Sequence, residues 1–456
     1  MAKTSSIIVG IDVGTYKVCT VVAEAGAGPN ARLNVLGVGA VASEGLTKGM
    51  ITDIVKASGA IAHSLEAAER QSGCHILSAY VSTSGSHISS SNSRGLVAVS
   101  HPDRVISQND VERAIEAARA MSAPPMGRDV LHVIPRTYTV DGQDGIRNPV
   151  GLSGFRLDVE THIVTGNSNV RENLIRCVQK ADVEVDDLVL SPLASAEAVL
   201  TEQEKNLGVV LVDIGHGTTD IAIYAEGAVW HTKVIPVGGW HLTNDLVIVF
   251  NIPYESAESL KLQYGQAVVP GTVRQPRPAE PARNGKSHAQ ASSGVGTAEH
   301  RHSEEEERLA SHDEEMLETE TFEGTPRRIS RDELNEVMAA RLDQLFGLVG
   351  DEIRRSGYEG LLPAGVVLTG GVATMRGIEP LASHKLRMPT RVGRPNRVGG
   401  LADSFEVPSY ATAVGLLQWG SKQSAAVSQM RVSQRSTGEK APAEGVLAKW
   451  LRRFLP

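Results

Sequence analysis

Cysteine is nearly absent: Cys19, Cys74 and Cys177 are the only three in 456 residues, too scattered to pair as a disulfide framework or a structural zinc site. A reducing compartment is implied. Positive charge is also short, with 45 Lys and Arg against 53 Asp and Glu and a net charge of −8, which argues against nucleic acid as a partner. No apolar run approaches the roughly 20 residues that span a bilayer. The segment after Lys3 goes straight into a strand pattern, so no secretory leader is expected. A chain of this length exceeds one hydrophobic core and should divide into several units.

What the chain does have is a loop used twice. The apolar runs at 7–11 and 209–212 read as buried strands, and each leads into an acidic, glycine-containing turn. The first is Asp12-Val13-Gly14-Thr15-Tyr16-Lys17; the second, about two hundred residues on, is Asp213-Ile214-Gly215-His216-Gly217-Thr218-Thr219-Asp220. Strand-like sequence resumes after both, so two hairpin tips are expected. Gly14, Gly215 and Gly217 would let backbone N–H groups wrap a phosphate, and Thr15, Thr218 and Thr219 would add hydroxyl donors. Asp12 and Asp213, at the strand ends, suit Mg²⁺ held through its waters. Lys17 either reaches the phosphates or sits on the outgoing strand. A third element, the strand 364–368 ending in Thr369-Gly370-Gly371, offers paired glycines against which a flat adenine-ribose could lie. Three such loops in this order point to a nucleotide.

With these motifs the chain resembles the actin/Hsp70/sugar-kinase ATPase superfamily and, within it, the FtsA family of bacterial cell-division proteins. The closer likeness rests on Ser84-Gly85-Ser86-His87 with Asn92-Ser93-Arg94-Gly95, Ser191-Pro192-Leu193-Ala194-Ser195-Ala196, Ile235-Pro236-Val237-Gly238-Gly239, Ala257-Glu258-Ser259-Leu260-Lys261 and Tyr410-Ala411-Thr412-Ala413-Val414-Gly415-Leu416-Leu417. It covers about 5–265, 314–420 and the last dozen residues. His216 departs from the family pattern, which places a small residue there. The resemblance implies an α/β, actin-like two-lobed ATPase fold: two ribonuclease-H-like halves with an inserted small subdomain. The first half would be 1–84 and 165–200, the insertion 85–164, and the second half 201–245 and 330–420, with a small subdomain at 246–329. It also implies ATP and Mg²⁺ as cofactors, and lifts Glu258 and Lys261, otherwise a surface salt bridge three apart on a helix, to holders of the ribose hydroxyls. The implied role is a polymerising cell-division protein, peripheral on the cytoplasmic face of the membrane at the division site. Its partners would be FtsZ, through that protein's C-terminal tail, further copies of itself, and other division proteins.

Elsewhere the patterns are plainer. Helices are expected from Asp53 to Ala68, from the capping residue Ser107, and over 331–353 with Leu334, Val337, Met338, Leu342, Leu345, Phe346 and Val349 on one face. Turns and short strands are expected over 86–164, and a strand over 315–322. Between about 267 and 313 proline, serine, alanine and charge replace any apolar period, which reads as disorder. Gly285-Lys286-Ser287 lies there, but Glu280 stands where a P-loop needs glycine. His300, His302 and His312 beside Glu304 to Glu307 read as a solvated charge run rather than a metal site.

A polar linker at 421–444 leads to a final segment, 445–456, in which Leu447, Trp450, Leu451 and Phe454 follow helical spacing while Lys449, Arg452 and Arg453 lie off the stripe. Such a helix suits an anionic membrane interface. Relatives that hydrolyse ATP well place a carboxylate just before the proline that is Pro192 here, whereas this chain has Ser191. Glu197 is close in sequence, but a helix beginning at Ala194 would aim it a turn away. At most slow hydrolysis is expected, and no catalytic residue is assigned. The alternatives are a pilus-assembly actin-like scaffold, which would lack the basic-aromatic tail, and a small-molecule phosphotransferase, which would leave that tail unexplained.

Overall fold

A computed structural model describes residues 6–26, 32–267, 315–396, 398–400 and 405–423. β1 (Ser6–Val13), β2 (Lys17–Ala25) and β3 (Leu33–Ala42) form an antiparallel meander. The short hairpin of β4 (Leu46–Thr47) and β5 (Met50–Ile51) follows. Next comes the helix Ile54–Ser72, whose N-cap Asp53 accepts hydrogen bonds from the backbone of Val55 and Lys56. The helix lies close on β3 because glycine leaves room there: a Cβ on Gly39 would stand 1.8 Å from the Ser64 carbonyl oxygen. β6 (Ser78–Thr83) then runs parallel beside β1.

From β6 the chain enters an inserted unit: β7 (Ser89–Ala98), the helix Gln108–Met121 capped by Ser107, β8 (Arg128–Val140), β9 (Gln143–Ile146) and β10 (Arg156–Asn167). Its sheet, ordered β7-β10-β8-β9, encloses a separate core around Ile106, Ile115, Leu157 and Ile163. The expectation of short strands is corrected here. β8 carries Pro135 within thirteen residues, because the proline falls where the register against β10 shifts at Glu160/Thr161 and a bulge relieves its missing N–H. β11 (Glu184–Leu190) returns to the first sheet beside β6.

The second half repeats the first. β12 (Val209–Ile214), β13 (Thr219–Ala225) and β14 (Ala228–Ile235) make a second meander, followed by the helices Gly239–Phe250 and Tyr254–Tyr264. The hairpin β15 (Met316–Glu320) and β16 (Pro326–Ser330) leads into the helix Arg331–Ser356, which buries Leu334, Met338, Leu342, Leu345, Phe346 and Val349. β17 (Val366–Thr369) lies parallel beside β12, and β18 (Thr390–Val392) beside β17. The order β18-β17-β12-β13-β14 thus repeats β11-β6-β1-β2-β3. β12 is buried along its whole length, as its unbroken apolar run requires.

The chain does not finish in the second half, as the range 330–420 anticipates. β19 (Val398–Gly400) pairs in parallel with β3 of the first sheet. The helical residues 411–423 pack against that sheet too, and Gly415 sits so close to the helix Ser191–Val199 that a Cβ would stand 1.8 Å from the Ala194 carbonyl oxygen. This last helix runs three residues into the stretch assigned to the linker. The insert beyond 267, the rest of the linker and the tail from Leu447 to Phe454 lie outside the described residues. No described helix is long and apolar enough to cross a membrane.

Candidate functional site

Both acidic-glycine loops are hairpin tips of one build. Gly14 N–H donates to the Lys17 carbonyl at 3.1 Å between β1 and β2, and Gly215 N–H donates to the Thr218 carbonyl at 2.9 Å between β12 and β13. The tips face each other across a cavity of about 510 Å³. They nearly touch: a Cβ on Gly217 would stand 2.9 Å from Thr15 Oγ1, so any side chain there would have to push the first loop aside.

Three carboxylates line the cavity, each held by hydroxyls. Asp12 Oδ1 accepts from Ser82 Oγ at 2.8 Å. Asp213 Oδ2 accepts from Ser195 Oγ and from Thr412 Oγ1, the latter at 3.2 Å. Asp220 accepts from Thr218 Oγ1 at 3.0 Å and from Ser84 Oγ, so that one bond spans the two halves. Burial raises the pKa of all three above the ordinary 3.8. For Asp213 burial, then the neighbouring Asp12, lifts it to about 6 against the Ser195 and Thr412 hydrogen bonds. For Asp220 burial and then Asp213 lift it to about 7. Negative charge is therefore disfavoured at the bottom of the cleft. Among the described residues no three His, Cys, Asp or Glu side chains converge as a direct metal-ligand set.

The sequence-derived residues sort into two groups. Asp12, Gly14, Thr15, Lys17, Asp213, Gly215, Gly217, Thr218, Glu258, Lys261, Gly370 and Gly371 all line the cavity. Thr219 does not: it is fully buried and donates to the Val237 carbonyl at 2.8 Å, because strand alternation turns it away from the cleft that its neighbours face. Lys17 begins the outgoing strand with its ammonium 3.4 Å from the centroid of the Tyr410 ring. Lys261 is buried and Glu258 half-buried rather than on the surface, paired at 2.7 Å, with Lys261 also donating to Thr243 Oγ1 at 2.8 Å. Gly370 has φ of +86° and abuts Asp213, a conformation and a closeness that both call for glycine.

Three placements differ from expectation or were missed. The helix after β11 begins at Ser191, with Pro192 in its first turn, not at Ala194. Glu197 points away from the cavity and pairs with Lys205 at 3.1 Å and with Lys422; burial pushes its pKa up, but the two ammonium groups outweigh that and hold it down at about 2. His216 rests against Tyr16 with ring centroids 5.1 Å apart and shares a 3.2 Å hydrogen bond with Tyr254 Oη. Its imidazole thus packs between two tyrosines, and burial lowers its pKa. Asp220 and Ser84 were quoted within motifs but given no role. The period-2 alternation of β13 was the available signal, since it puts Asp220 on the side opposite Thr219.

A duplicated sheet with paired loops at the junction is the architecture of actin-like proteins, and the comparisons with known proteins narrow it further. The profile for "Cell division protein FtsA" matches residues 210–415, and that for "SHS2 domain inserted in FTSA" matches 85–165. The cell division protein FtsA of Pseudomonas aeruginosa is 40% identical over 99% of this chain and 98% of its own length. The chain belongs to the FtsA family. Membership of FtsA makes it a cell-division protein with the SHS2 unit as its insertion, β7 to β10. Solved structures agree on the fold. The PilM-PilN type IV pilus biogenesis complex aligns with TM-score 0.60 at 13% identity, over 91% of this chain and 98% of that one. MreB 5 of Spiroplasma citri bound to AMPPNP aligns with TM-score 0.50 at 14% identity, over 96% of this chain and all of that one. At such identities the likeness concerns the fold alone, so the pilus relative does not compete with FtsA for the assignment.

Proposed function

We propose that this FtsA-family chain binds ATP with Mg²⁺ between its two halves, self-associates, and holds the FtsZ ring, through the FtsZ C-terminal tail, at the cytoplasmic face of the membrane. The observation that carries the nucleotide reading is the pair of like-built tips facing each other over one cavity. Gly14, Thr15, Gly215, Gly217 and Thr218 would cradle phosphates from both sides, while Gly370 and Gly371 would receive the nucleobase and Glu258 and Lys261 the ribose. The carboxylates of Asp12, Asp213 and Asp220, whose charge burial disfavours, suit a divalent cation held through its waters. When bound, Mg²⁺ would supply the positive charge that lets phosphates and carboxylates share the cleft.

Turnover should be slow. Ser191 Oγ lines the cavity but is committed to the Thr83 carbonyl at 3.1 Å, and Glu197 is held elsewhere by lysines. The chain therefore acts as a nucleotide-dependent adaptor more than as an enzyme.

Membrane attachment rests on the tail stripe of Leu447, Trp450, Leu451 and Phe454 with Lys449, Arg452 and Arg453. Three bases contribute at most roughly 3 kcal/mol near an anionic leaflet, and each large apolar side chain about 1.5–3 kcal/mol before ordering costs. One tail should bind reversibly; several on one polymer should bind tightly. The test is co-sedimentation with anionic liposomes of the full chain and of a chain lacking residues 445–456, with ATP affinity measured by calorimetry on both. Loss of pelleting with unchanged ATP affinity is expected. Equal pelleting of both would refute the anchor, and absence of ATP binding by the full chain would refute the nucleotide reading.

A further inference from the structure

The hairpin of β4 and β5 figured in no motif, yet its tip reaches the site. Its two turn residues, Lys48 and Gly49, both have left-handed backbones, with φ of +49° and +76°. Such a turn favours Asn, Asp or Gly at its first position, and a lysine there is strained. Strain of this kind persists where the surroundings fix it, and here they do. Gly49 N–H donates to Thr15 Oγ1 of the first loop at 3.2 Å. Lys48 Cα lies 3.1 Å from where a Cβ on Gly217 of the second loop would be, and a Cβ on Gly49 would stand 2.5 Å from the Ser84 carbonyl oxygen. The tip therefore touches both phosphate loops at once.

Charge singles out the lysine. A nucleoside triphosphate brings several negative charges to a cleft that already holds three carboxylates. Of the cations that line the cavity, Lys17 lies on the Tyr410 ring, Lys261 is paired with Glu258 and Arg331 with Glu315, while Arg376 lies beyond the paired glycines, where its backbone pairs with Gln266 and Ala267. Among the described residues Lys48 has no carboxylate partner. Its charge faces the second half, since His241 at the start of the helix Gly239–Phe250 has its pKa lowered by burial and then by Lys48.

We propose that the β4–β5 hairpin is a strap over the two phosphate loops and that the Lys48 ammonium binds the terminal phosphate, the group that separates a nucleoside triphosphate from a diphosphate. This rests on the nucleotide reading above. The chemistry is ion pairing to phosphate oxygen, for which a lysine on a fixed turn is a point charge delivered without competing partners. The strain at Lys48 then has a cause: the turn sets a charged residue beside both phosphate loops, where Asn or Gly would set none.

The experiment measures Mg·ATP and Mg·ADP affinities of the full-length chain by calorimetry for the unsubstituted protein, Lys48→Asn and Lys48→Arg. Asparagine tolerates the left-handed turn, so Lys48→Asn removes the charge and keeps the hairpin. ATP affinity should fall roughly tenfold to hundredfold, the range for a lost charged hydrogen bond, while ADP affinity stays within about twofold. Lys48→Arg should recover part of the loss. Equal weakening of ATP and ADP, or no change in either, would overturn the assignment while leaving the cleft a nucleotide site. If the unsubstituted chain bound neither nucleotide, the cleft reading would fall and take Lys48 with it.

Discussion

Replacing Asp220 by Asn should stabilise the nucleotide-free protein and weaken its Mg·ATP binding. Asp220 is 4% exposed, and its pKa of about 7 lies some three pH units above the ordinary 3.8 because burial and the adjacent Asp213 disfavour its charge. A folded-state pKa raised in this way contributes stability that is fully present below the unfolded value and is lost as pH rises through about 7. At about 1.4 kcal/mol per pH unit, the ionised carboxylate costs the empty cleft up to about 4 kcal/mol at pH 8. Asparagine fills the same volume without charge, and the Ser84 and Thr218 hydroxyls can turn to serve its oxygen and its amide. Thermal unfolding of Asp220→Asn should therefore be raised by several degrees at pH 8, at roughly 2–4 °C per kcal/mol if the second half melts as a unit. The gain should shrink steadily toward pH 4. Calorimetry on the same preparation should show Mg·ATP affinity reduced, since on the proposed function this carboxylate trades stability for cation binding. An equal gain at pH 4 and pH 8, or a loss at pH 8, would refute the claim that burial and Asp213 penalise the ionised Asp220 in the empty cleft.

Asp213→Ala should abolish magnesium-dependent ATP binding in a folded protein, and unchanged affinity in calorimetry would contradict the two-loop cleft. Ser191→Glu places a carboxylate before Pro192 and should raise phosphate release if that position limits turnover, which a steady-state ATPase assay reads directly. Gly415→Ala drives a Cβ toward a carbonyl 1.8 Å away and should cost about 3 kcal/mol or prevent folding, measured as the denaturation midpoint. Trp450→Glu puts a charge where the apolar stripe enters lipid, so liposome pelleting should collapse while ATP affinity is kept.

Much of this was legible because the decisive elements are local. The apolar run at 209–212 followed by Gly215 and Gly217 announces a buried strand and a tight tip without reference to the rest of the chain, and the helix Arg331–Ser356 follows its own period. What escaped is long-range. Nothing in the sequence near Val398 says that three residues there pair with β3, more than 350 positions earlier. The Lys48-Gly49 turn belongs to no sequence motif, because Thr15 and Gly217 approach it only in the fold. Thr219 was misjudged for the opposite reason: the motif was read as a string of like donors, when strand alternation divides neighbouring residues between cleft and core.

The helix at 411–423 touches the site with one end and the start of the linker with the other. Thr412 holds Asp213, and Lys422, ten residues and about 15 Å along the axis, is clamped to Glu197. Any pull entering the body from beyond residue 423 would meet that ion pair first, then the tight crossing of Gly415 over Ala194, and last the carboxylate at the cleft floor. On the proposed function this helix would be a short load path from the anchor to the nucleotide, and tension on the one would displace the Asp213 carboxylate beside the other.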